Sequence, residues 1–298
     1  MDIKRYLREK KEAVDAALER YLPREREFPA TLHRAIRHSL FNGGKRIRPI
    51  LSIASFEAFG GKGDGILPFA CALEMIHTYS LIHDDLPAID NDDYRRGKPT
   101  CHKVFGEAIG ILAGDGLLTE AFKLMTSSHL HEMLCHDQRL VVDIIHEVSK
   151  AAGLEGMIGG QVIDIESEGK EVDFSTLQYI HTHKTGALIV ASVRVGAKLA
   201  LADEESLKAV TCYGERIGLA FQIADDILNV EGKAALLGKR TGSDLSKGKA
   251  TYPSLLGLEQ SRRSAEELVN SAVEALAQFG PEADPLREIA RFVTAREY

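Results

Sequence analysis

Cysteine is scarce in this chain, and its four residues stand far apart at Cys71, Cys101, Cys135 and Cys212. No two of them form a C-x-x-C pair, so neither a zinc site nor a redox pair is indicated, and scattered single cysteines fit a reducing cytosol. The sequence also lacks any run of about 18 apolar residues, and its first twenty residues are charged throughout. We therefore expect a cytoplasmic protein without a membrane span.

An excess of basic residues is also missing. Lys plus Arg is 37 against 44 for Asp plus Glu, which gives a net charge of −7. Binding of nucleic acid needs a basic face, so we expect no nucleic acid as a partner. A hydrophobic content of 44% and a charged content of 27% indicate a folded chain. No linker rich in Pro or Ser divides it, which predicts one domain over residues 1–298.

Apolar residues recur mostly at spacings of three and four, which predicts an all-α fold. One predicted helix, over 65–84, is apolar nearly all round, and such a helix lies inside a large bundle. It ends in paired acids, and so does the apolar part of the 205–230 helix. The predicted helices lie near 3–21, 29–41, 46–59, 65–84, 105–128, 137–151, 175–199, 205–230, 252–279 and 283–296.

The first acidic cluster follows the 65–84 helix and places five carboxylates within ten residues, at Asp84, Asp85, Asp90, Asp92 and Asp93. A solvated acidic loop is the simpler interpretation. However, the cluster grows from a buried helix and is followed at once by the basic segment RRGK. Acids that gather hard cations, beside bases that bind phosphate oxygens, suit a magnesium–diphosphate complex.

The second acidic cluster lies on the 205–230 helix. Gln222, Asp225 or Asp226, and Asn229 share one face through their spacing of three and four. A structural ion pair or a helix cap would also explain this pattern by itself. Two such clusters in one bundle favour a site for several metal ions, because magnesium takes only one or two carboxylates per ion and substrate phosphates complete its shell.

Two further segments carry bases beside small residues. The sequence NGGKRIRP has three bases within four residues after two glycines, which let a phosphate approach the backbone closely. An ordinary helix start with exposed bases is the alternative. In HTHKTGAL, Lys184 leads into small residues, which indicates a closely packed ligand or chain, although simple helix packing explains that stretch alone.

Together these segments resemble the all-trans short-chain polyprenyl diphosphate synthases, from about Phe41 to Gln260. The likeness is especially close to the bacterial farnesyl diphosphate synthases, or geranyltranstransferases. It is carried, in the same order and spacing, by GGKRIRP, EMIHTYSLIHDDLPAIDNDDYRRGKPTCH, GGQVIDIESEGK, HTHKTGAL, FQIADDILN and LGKRTGSDLSKGKATYP. The resemblance implies the isoprenoid synthase fold, a helical bundle around a central apolar cavity, and a homodimer, for which the apolar 105–128 helix is a candidate interface.

The resemblance also implies roles for single residues. Three magnesium ions would be held on one side by Asp84 and Asp90, with Asp85 supporting, and on the other by Asp225, assisted by Asp226. The isopentenyl diphosphate would be bound without metal by Lys45, Arg48, His77 and Arg96. The allylic diphosphate would be bound by Arg95, Lys184, Thr185, Gln222 and Lys239. Asn229 stands where the family usually has Asp, and an amide is the poorer magnesium ligand.

Product length is implied by the residues below the first acidic cluster. Tyr79 lies five residues before Asp84, although Ser80 is closer to Asp84 in azimuth. In the family, an aromatic residue here together with the longer aspartate motif accompanies the bacterial farnesyl (C15) product, and small residues accompany geranylgeranyl (C20) products. A geranylgeranyl diphosphate synthase is therefore the main alternative, and a terpene cyclase or an inactive regulatory subunit are more distant ones. The long 231–251 segment is interpreted as a lid.

Overall fold

The computed structural model describes residues 1–127, 138–231 and 249–294, and in these ranges regular structure is almost wholly helical. Two-residue strands, β1 (Tyr94–Arg95) and β2 (Lys98–Pro99), form a small antiparallel hairpin. The prediction of an all-α fold is confirmed. The helices are α1 Ile3–Tyr21, α2 Ala30–Leu40, α3 Ile47–Ala58, α4 Leu67–Asp84, α5 Cys101–Phe105, α6 Glu107–Met125, α7 Gln138–Ala152, α8 Met157–Glu166, α9 Phe174–Ile180, α10 Ala187–Leu199, α11 Glu204–Val230, α12 Tyr252–Leu256, α13 Leu258–Ala275 and α14 Asp284–Thr294.

The chain forms two compact units. The N-terminal unit comprises Leu7–Ile50 and Gly63–Ile145, and the C-terminal unit comprises Met1–Tyr6, Leu51–Lys62 and His146–Tyr298. The first acidic cluster and the glycine-rich basic segment belong to the N-terminal unit, whereas the second acidic cluster and HTHKTGAL belong to the C-terminal unit. One domain over the whole chain stays a prediction.

Helix α4 is the core of the N-terminal unit. A 3₁₀ turn, Asp64–Ile66, leads into it, and Pro68 in its first turn needs no backbone hydrogen bond there. By length and hydropathy it is the one described helix that could cross a membrane, but 78% of that stretch is buried inside the protein. It packs against α6, where Gly114 leaves room for the His83 ring: a Cβ at Gly114 would lie 2.1 Å from His83 Nε2.

Helix α11 is the core of the C-terminal unit, as α4 is of the N-terminal unit. The Asp203 carboxylate caps it by accepting from the Ser206 backbone N–H at 2.8 Å. Glu204 and Glu205 lie in its first turn, where negative charge complements the helix dipole. Its apolar side packs on α10 and α13, with Tyr213 and Ile223 fully buried. Its polar end therefore carries Gln222, Asp225 and Asp226 on a well-anchored backbone.

The single helix predicted over 175–199 is interrupted. Between α9 and α10 the chain forms a π-helical turn, His181–Gly186, which we call the π-turn. The Thr182 hydroxyl donates to the carbonyls of Gln178 and Tyr179, and His183 Nδ1–H donates to the Tyr179 carbonyl at 2.9 Å. These side chains compete with the backbone for the α-helical acceptors, which loosens the helix at this point.

Other boundaries also differ from the prediction. The helix predicted over 252–279 is two helices, since Gly257 between α12 and α13 has φ of +81°, a conformation that suits glycine. Helices α5 and α8 were missed. Helix α8 contains Gly159 and Gly160, which lower helix propensity, and Gly160 is required because a Cβ there would lie 2.2 Å from the Lys184 backbone nitrogen.

Gly196 of α10 allows a similar close approach, to α3. A Cβ at this position would lie 2.1 Å from the Ser52 carbonyl oxygen, and backbone atoms cannot rotate away. We expect Gly196→Ala to lower the free energy of unfolding by about 1–3 kcal/mol, as overpacking does. Urea unfolding followed by circular dichroism measures this.

Gly116→Ala in α6 is the matched control, because the added Cβ would meet only the ends of the Ile36 and Leu32 side chains, at 3.3 and 4.0 Å. Its unfolding free energy should stay within about 1 kcal/mol of that of the parent protein, since alanine favours helix. Equal losses in the two variants would contradict the close packing of α10 on α3.

Candidate active site

The first acidic cluster begins where α4 ends. The chain folds back after this helix, and the Asp90 backbone N–H donates to the Asp84 carbonyl at 2.8 Å. A second turn bond, from Asn91 N–H to the Leu86 carbonyl at 3.0 Å, closes the loop. The backbone thus brings together Asp84 and Asp90, which are six positions apart in the sequence and were predicted to hold magnesium on the same side of the site.

Asp85 is placed differently from its neighbour Asp84. It is only 3% exposed, and its two carboxylate oxygens accept from Arg95 Nε at 2.7 and 2.9 Å. Asp92 lies 3.7 Å from the same guanidinium. Burial alone would lower the pKa of Arg95, but the hydrogen bond to Asp85 and the negative charges of Asp85, Asp84 and Asp92 together outweigh it and raise the pKa. Two predicted binding residues, Asp85 and Arg95, thus hold each other as a bidentate pair.

The three bases of the glycine-rich segment differ sharply in their surroundings. Arg46 is 2% exposed, has φ of +54°, and donates to Asp15 at 2.8 Å and to Glu74 at 2.7 Å. Its third bond goes to the Leu40 carbonyl at 2.7 Å. Lys45 is exposed and Arg48 is half-buried. Arg46 therefore fastens the segment, which leaves Lys45 and Arg48 as the candidate ligands.

Arg96 joins this segment from the hairpin. Its Nη1 donates to the Gly43 carbonyl at 2.5 Å, and a Cβ at Gly44 would lie 2.6 Å from the same nitrogen. His77 lies in the field of these bases: burial, followed by the positive charges of Arg48 and Arg96, holds the pKa of His77 well below its ordinary value. A neutral imidazole among arginines can still donate a hydrogen bond to an anion. The structure thus brings Arg96, His77 and Arg48 into one basic region.

In the C-terminal unit, the π-turn presents Lys184 and Thr185. The Lys184 ammonium bonds Asp164 at 2.6 Å, and Lys249 bonds the same carboxylate oxygen at 3.1 Å. Burial raises the pKa of Asp164, but the two ammonium groups outweigh it and lower the pKa. The Thr185 hydroxyl donates to the Gln222 amide oxygen at 2.9 Å. The predicted ligands Lys184, Thr185 and Gln222 are therefore adjacent.

Residues that the sequence analysis did not single out complete this region. Asp164 lies in the segment GGQVIDIESEGK, which carried the resemblance, but no spacing pointed to it as the partner of two lysines. His181 and Tyr252 were missed as well. Asp226 is 6% exposed, and its Oδ2 accepts from the Tyr252 backbone N–H at 2.9 Å and lies 3.6 Å from His181 Nε2. Asp225, the predicted metal ligand beside it, is half-buried.

The predicted product-length residues lie on α4 below Asp84. Tyr79 is 6% exposed and meets the His83 ring edge to face, with centroids 5.7 Å apart. Burial, with a smaller contribution from the Asp84 charge, raises the pKa of Tyr79 to about 12. The hydroxyl of the half-buried Ser80 donates a hydrogen bond to the His77 carbonyl at 2.9 Å. Lys239 and most of the predicted 231–251 lid lie outside the described residues.

Comparison with known proteins identifies the family to which a chain with these residues belongs. The model of the polyprenyl synthetase family matches residues 29–282. The chain belongs to this family.

Related proteins match this chain along nearly their whole length. The farnesyl diphosphate synthase of Geobacillus stearothermophilus is 47% identical, over 100% of this chain and 99% of the relative. The geranylgeranyl diphosphate synthase of Cyanophora paradoxa is 49% identical, over 98% and 95%. An FPP/GFPP synthase structure from Zymomonas mobilis superimposes with a TM-score of 0.87 at 37% identity, over 98% and 99%. The resemblance found in the sequence is confirmed, and the chain is a prenyltransferase.

Farnesyl diphosphate synthases of this family use Mg²⁺, and the carboxylates present here fit that ion. The described residues contain no group of three or more His, Cys, Asp or Glu arranged around one point. Magnesium does not need one, because it is held by one or two carboxylates while phosphate oxygens and water fill the remaining positions. Asp84 and Asp90, joined through the backbone, meet this requirement, and so does Asp225.

Arg46 is buried and paired with carboxylates, whereas Lys45 is exposed, and this difference leads to a prediction about stability. Arg46→Met would leave the Glu74 carboxylate buried without its guanidinium, so we expect a loss of about 3–5 kcal/mol of unfolding free energy. Replacing both partners, in Arg46→Met with Glu74→Leu, should recover much of this loss. Lys45→Met, at an exposed position, should stay within about 0.5 kcal/mol. Urea unfolding measures all three, and a small loss in Arg46→Met would contradict its anchoring role.

Proposed function

We propose that the chain condenses isopentenyl diphosphate with dimethylallyl or geranyl diphosphate and releases (E,E)-farnesyl diphosphate and diphosphate. The main support for a C15 product is the position of Tyr79. Its ring is buried on α4, and the charge of Asp84 contributes to the raised pKa of its hydroxyl. A product tail that grows from the aspartates along this helix would meet the ring. The identity of 47% to a farnesyl diphosphate synthase supports the same product.

The metal and its ligands form the first part of the mechanism. When bound, magnesium, in three ions by our proposal, supplies Lewis-acid neutralisation of the leaving diphosphate. Asp84 and Asp90 would hold it at one acidic cluster, and Asp225 at the other. Asp85 would orient the Arg95 guanidinium, which would bind the allylic diphosphate together with Lys184, Gln222 and Lys239. Cationic side chains placed where negative charge develops are the main source of acceleration in such reactions.

The second diphosphate would be bound without metal in the basic region of the N-terminal unit. Lys45 and Arg48 would approach it from the glycine-rich segment, and Arg96 from the hairpin. His77, kept neutral by burial and by the arginine charges, would donate a hydrogen bond rather than add a charge. The buried Arg46 would hold the segment in place. In this proposal the buried Arg46 has a structural role, and the less buried bases bind the diphosphate.

The bond changes then follow simple carbocation chemistry. The allylic C–O bond breaks, and both electrons leave with the diphosphate. The double bond of isopentenyl diphosphate forms the new C–C bond, and a proton is lost to the departing diphosphate. Thr185 and the Gln222 amide, which are hydrogen-bonded to each other, would direct their dipoles at the developing cation. Apolar side chains of α4 would keep water from it.

A geranylgeranyl product is the second candidate, and the 49% identity to a geranylgeranyl diphosphate synthase favours it. The deciding experiment incubates the purified protein with magnesium, isopentenyl diphosphate and either allylic substrate. The dephosphorylated products are then separated by gas chromatography. A dominant C15 alcohol supports the proposal, a C20 alcohol selects the second candidate, and the absence of any magnesium-dependent product contradicts both.

The first acidic cluster provides a test of the chemistry. Asp84→Asn removes one proposed metal ligand while keeping the size of the side chain, and we expect kcat/KM to fall by at least about 100-fold, as for loss of a charge-stabilising group. Asp93→Asn is the control, because this exposed aspartate pairs with Lys103 at 2.7 Å. It should change kcat/KM less than about threefold, since surface pairs contribute little. Similar losses in the two variants would contradict the assignment.

Product length provides another test. Tyr79→Ala removes the buried ring, and we expect the main product to shift from C15 to C20 or longer under otherwise equal conditions. Ser80→Ala is the control, because its hydroxyl is bound to its own helix at His77. Gas chromatography of the dephosphorylated products measures both. A C15 product from Tyr79→Ala would mean that another side chain limits the tail.

A further inference from the structure

A buried carboxylate joins three separate segments of the C-terminal unit. Asp226 Oδ2 accepts from the Tyr252 backbone N–H at 2.9 Å, and His181 Nε2 lies 3.6 Å from the same oxygen. The His181 ring stacks on the Tyr252 ring, with centroids 5.3 Å apart and planes 18° apart. All three residues are at most 6% exposed. The stack fixes the plane of the imidazole, so its Nε2 edge faces the carboxylate.

A role in core packing alone does not explain why this position is a histidine. Its Nδ1 is buried and has no hydrogen-bond partner among the described residues. A buried polar atom without a partner destabilises the fold, and an apolar ring of the same size would avoid this cost. Unfavourable polar groups of this kind persist mainly where function requires them. The other ring nitrogen, Nε2, faces Asp226 Oδ2 at 3.6 Å, so we look for the explanation there.

Two of the three joined segments carry residues of the proposed site. His181 begins the π-turn, which presents Lys184 and Thr185. Asp226 follows Asp225 on α11. Tyr252 begins α12, where the Thr251 hydroxyl and Ser254 form a capping box that fixes the start of this helix.

Asp226 itself is poorly suited to bind the metal directly. Its Oδ2 already accepts from Tyr252 and faces His181, and the carboxylate is nearly fully buried. Asp225 is less buried and lies next to it on the helix. Carboxylates and imidazoles that do not touch a metal commonly orient the ligands that do, and their loss typically lowers metal affinity about 10–100-fold.

We infer that His181 is a positioning residue, which acts through Asp226 to hold the π-turn, the Asp225 helix turn and the start of α12 at the spacing that a magnesium–diphosphate complex needs. The inference rests on the proposed function, because it assigns the cluster to the allylic diphosphate. It predicts that His181 affects binding of magnesium and of the allylic substrate, but not of isopentenyl diphosphate.

A matched pair of variants tests this. His181→Phe keeps a flat ring that can stack on Tyr252 but has no N–H for Asp226. His181→Gln keeps an amide N–H at about the distance of Nε2. For each protein, thermal unfolding is measured without ligand and with magnesium plus inorganic diphosphate, which reports binding without turnover. Steady-state kinetics then give the half-saturating magnesium concentration and the KM of each substrate.

In His181→Phe we expect the half-saturating magnesium concentration to rise about tenfold or more. The rise in Tm caused by magnesium and diphosphate should be largely lost, whereas the ligand-free Tm should not fall, since an orphaned polar atom has been removed. The KM of isopentenyl diphosphate should change less than about twofold, because the residues proposed to bind it are not among those that His181, Asp226 and Tyr252 join. His181→Gln should return the magnesium dependence to within about threefold of the parent protein.

Two results would overturn the inference. One is parental magnesium dependence in His181→Phe. The other is a uniform loss in both variants, with lower ligand-free Tm and equal effects on both substrates, which would indicate a packing role only. If the parent protein gains Tm with magnesium and diphosphate but forms no C–C bond, the proposed function fails while the positioning role remains measurable. If the parent protein gains no Tm, the inference fails as well.

Discussion

The burial of carboxylates at the ends of apolar helices is the constraint on which the rest of this structure depends. An ionised carboxylate is costly to bury unless it is paired and hydrogen-bonded. The protein meets this requirement differently at each aspartate pair. Asp85 is neutralised by Arg95, and Asp226 is held by the Tyr252 backbone and faced by His181. In each pair the second aspartate is thus committed to the protein, which leaves the first, Asp84 or Asp225, as the candidate metal ligand.

The same principle separates basic residues that stabilise the fold from those that are candidates for binding substrate. Arg46 is surrounded by Asp15 and Glu74, so its charge serves the fold, whereas Lys45 on the same segment is exposed. Lys184 and Lys249 share the Asp164 carboxylate, a pairing that keeps two ammonium groups close together. A bound diphosphate would take over part of that role. The proposed ionisation of an allylic diphosphate would need cations that are gathered in advance, and these pairings would gather them.

Much of this was accessible from the sequence. Periodicity predicted α1 over the residues it occupies, and the apolar length of α4 predicted its burial. The break at His181 could not be predicted, because it depends on which carbonyls the Thr182 and His183 side chains bind. The three bases after Gly44 look alike in sequence, and only their tertiary partners separate them. His181 and Asp164 were missed for the same reason, since their partners lie far along the chain. The homodimer and the cytoplasmic location stay predictions.

The π-turn has a further consequence for how this chain can change. A π-helical turn contains one residue more than an α-helix needs over the same length. In an α-helix each residue corresponds to about 100° of rotation. Removal of one residue between His181 and Gly186 would therefore regularise the helix and leave Phe174–Ile180 in nearly the same orientation relative to Ala187–Leu199, while the residues that remain in the turn would take up the spacing of about 100° and point in new directions. The number of residues in this segment is thus constrained as strongly as their identity, and in related chains insertions and deletions should be absent from it.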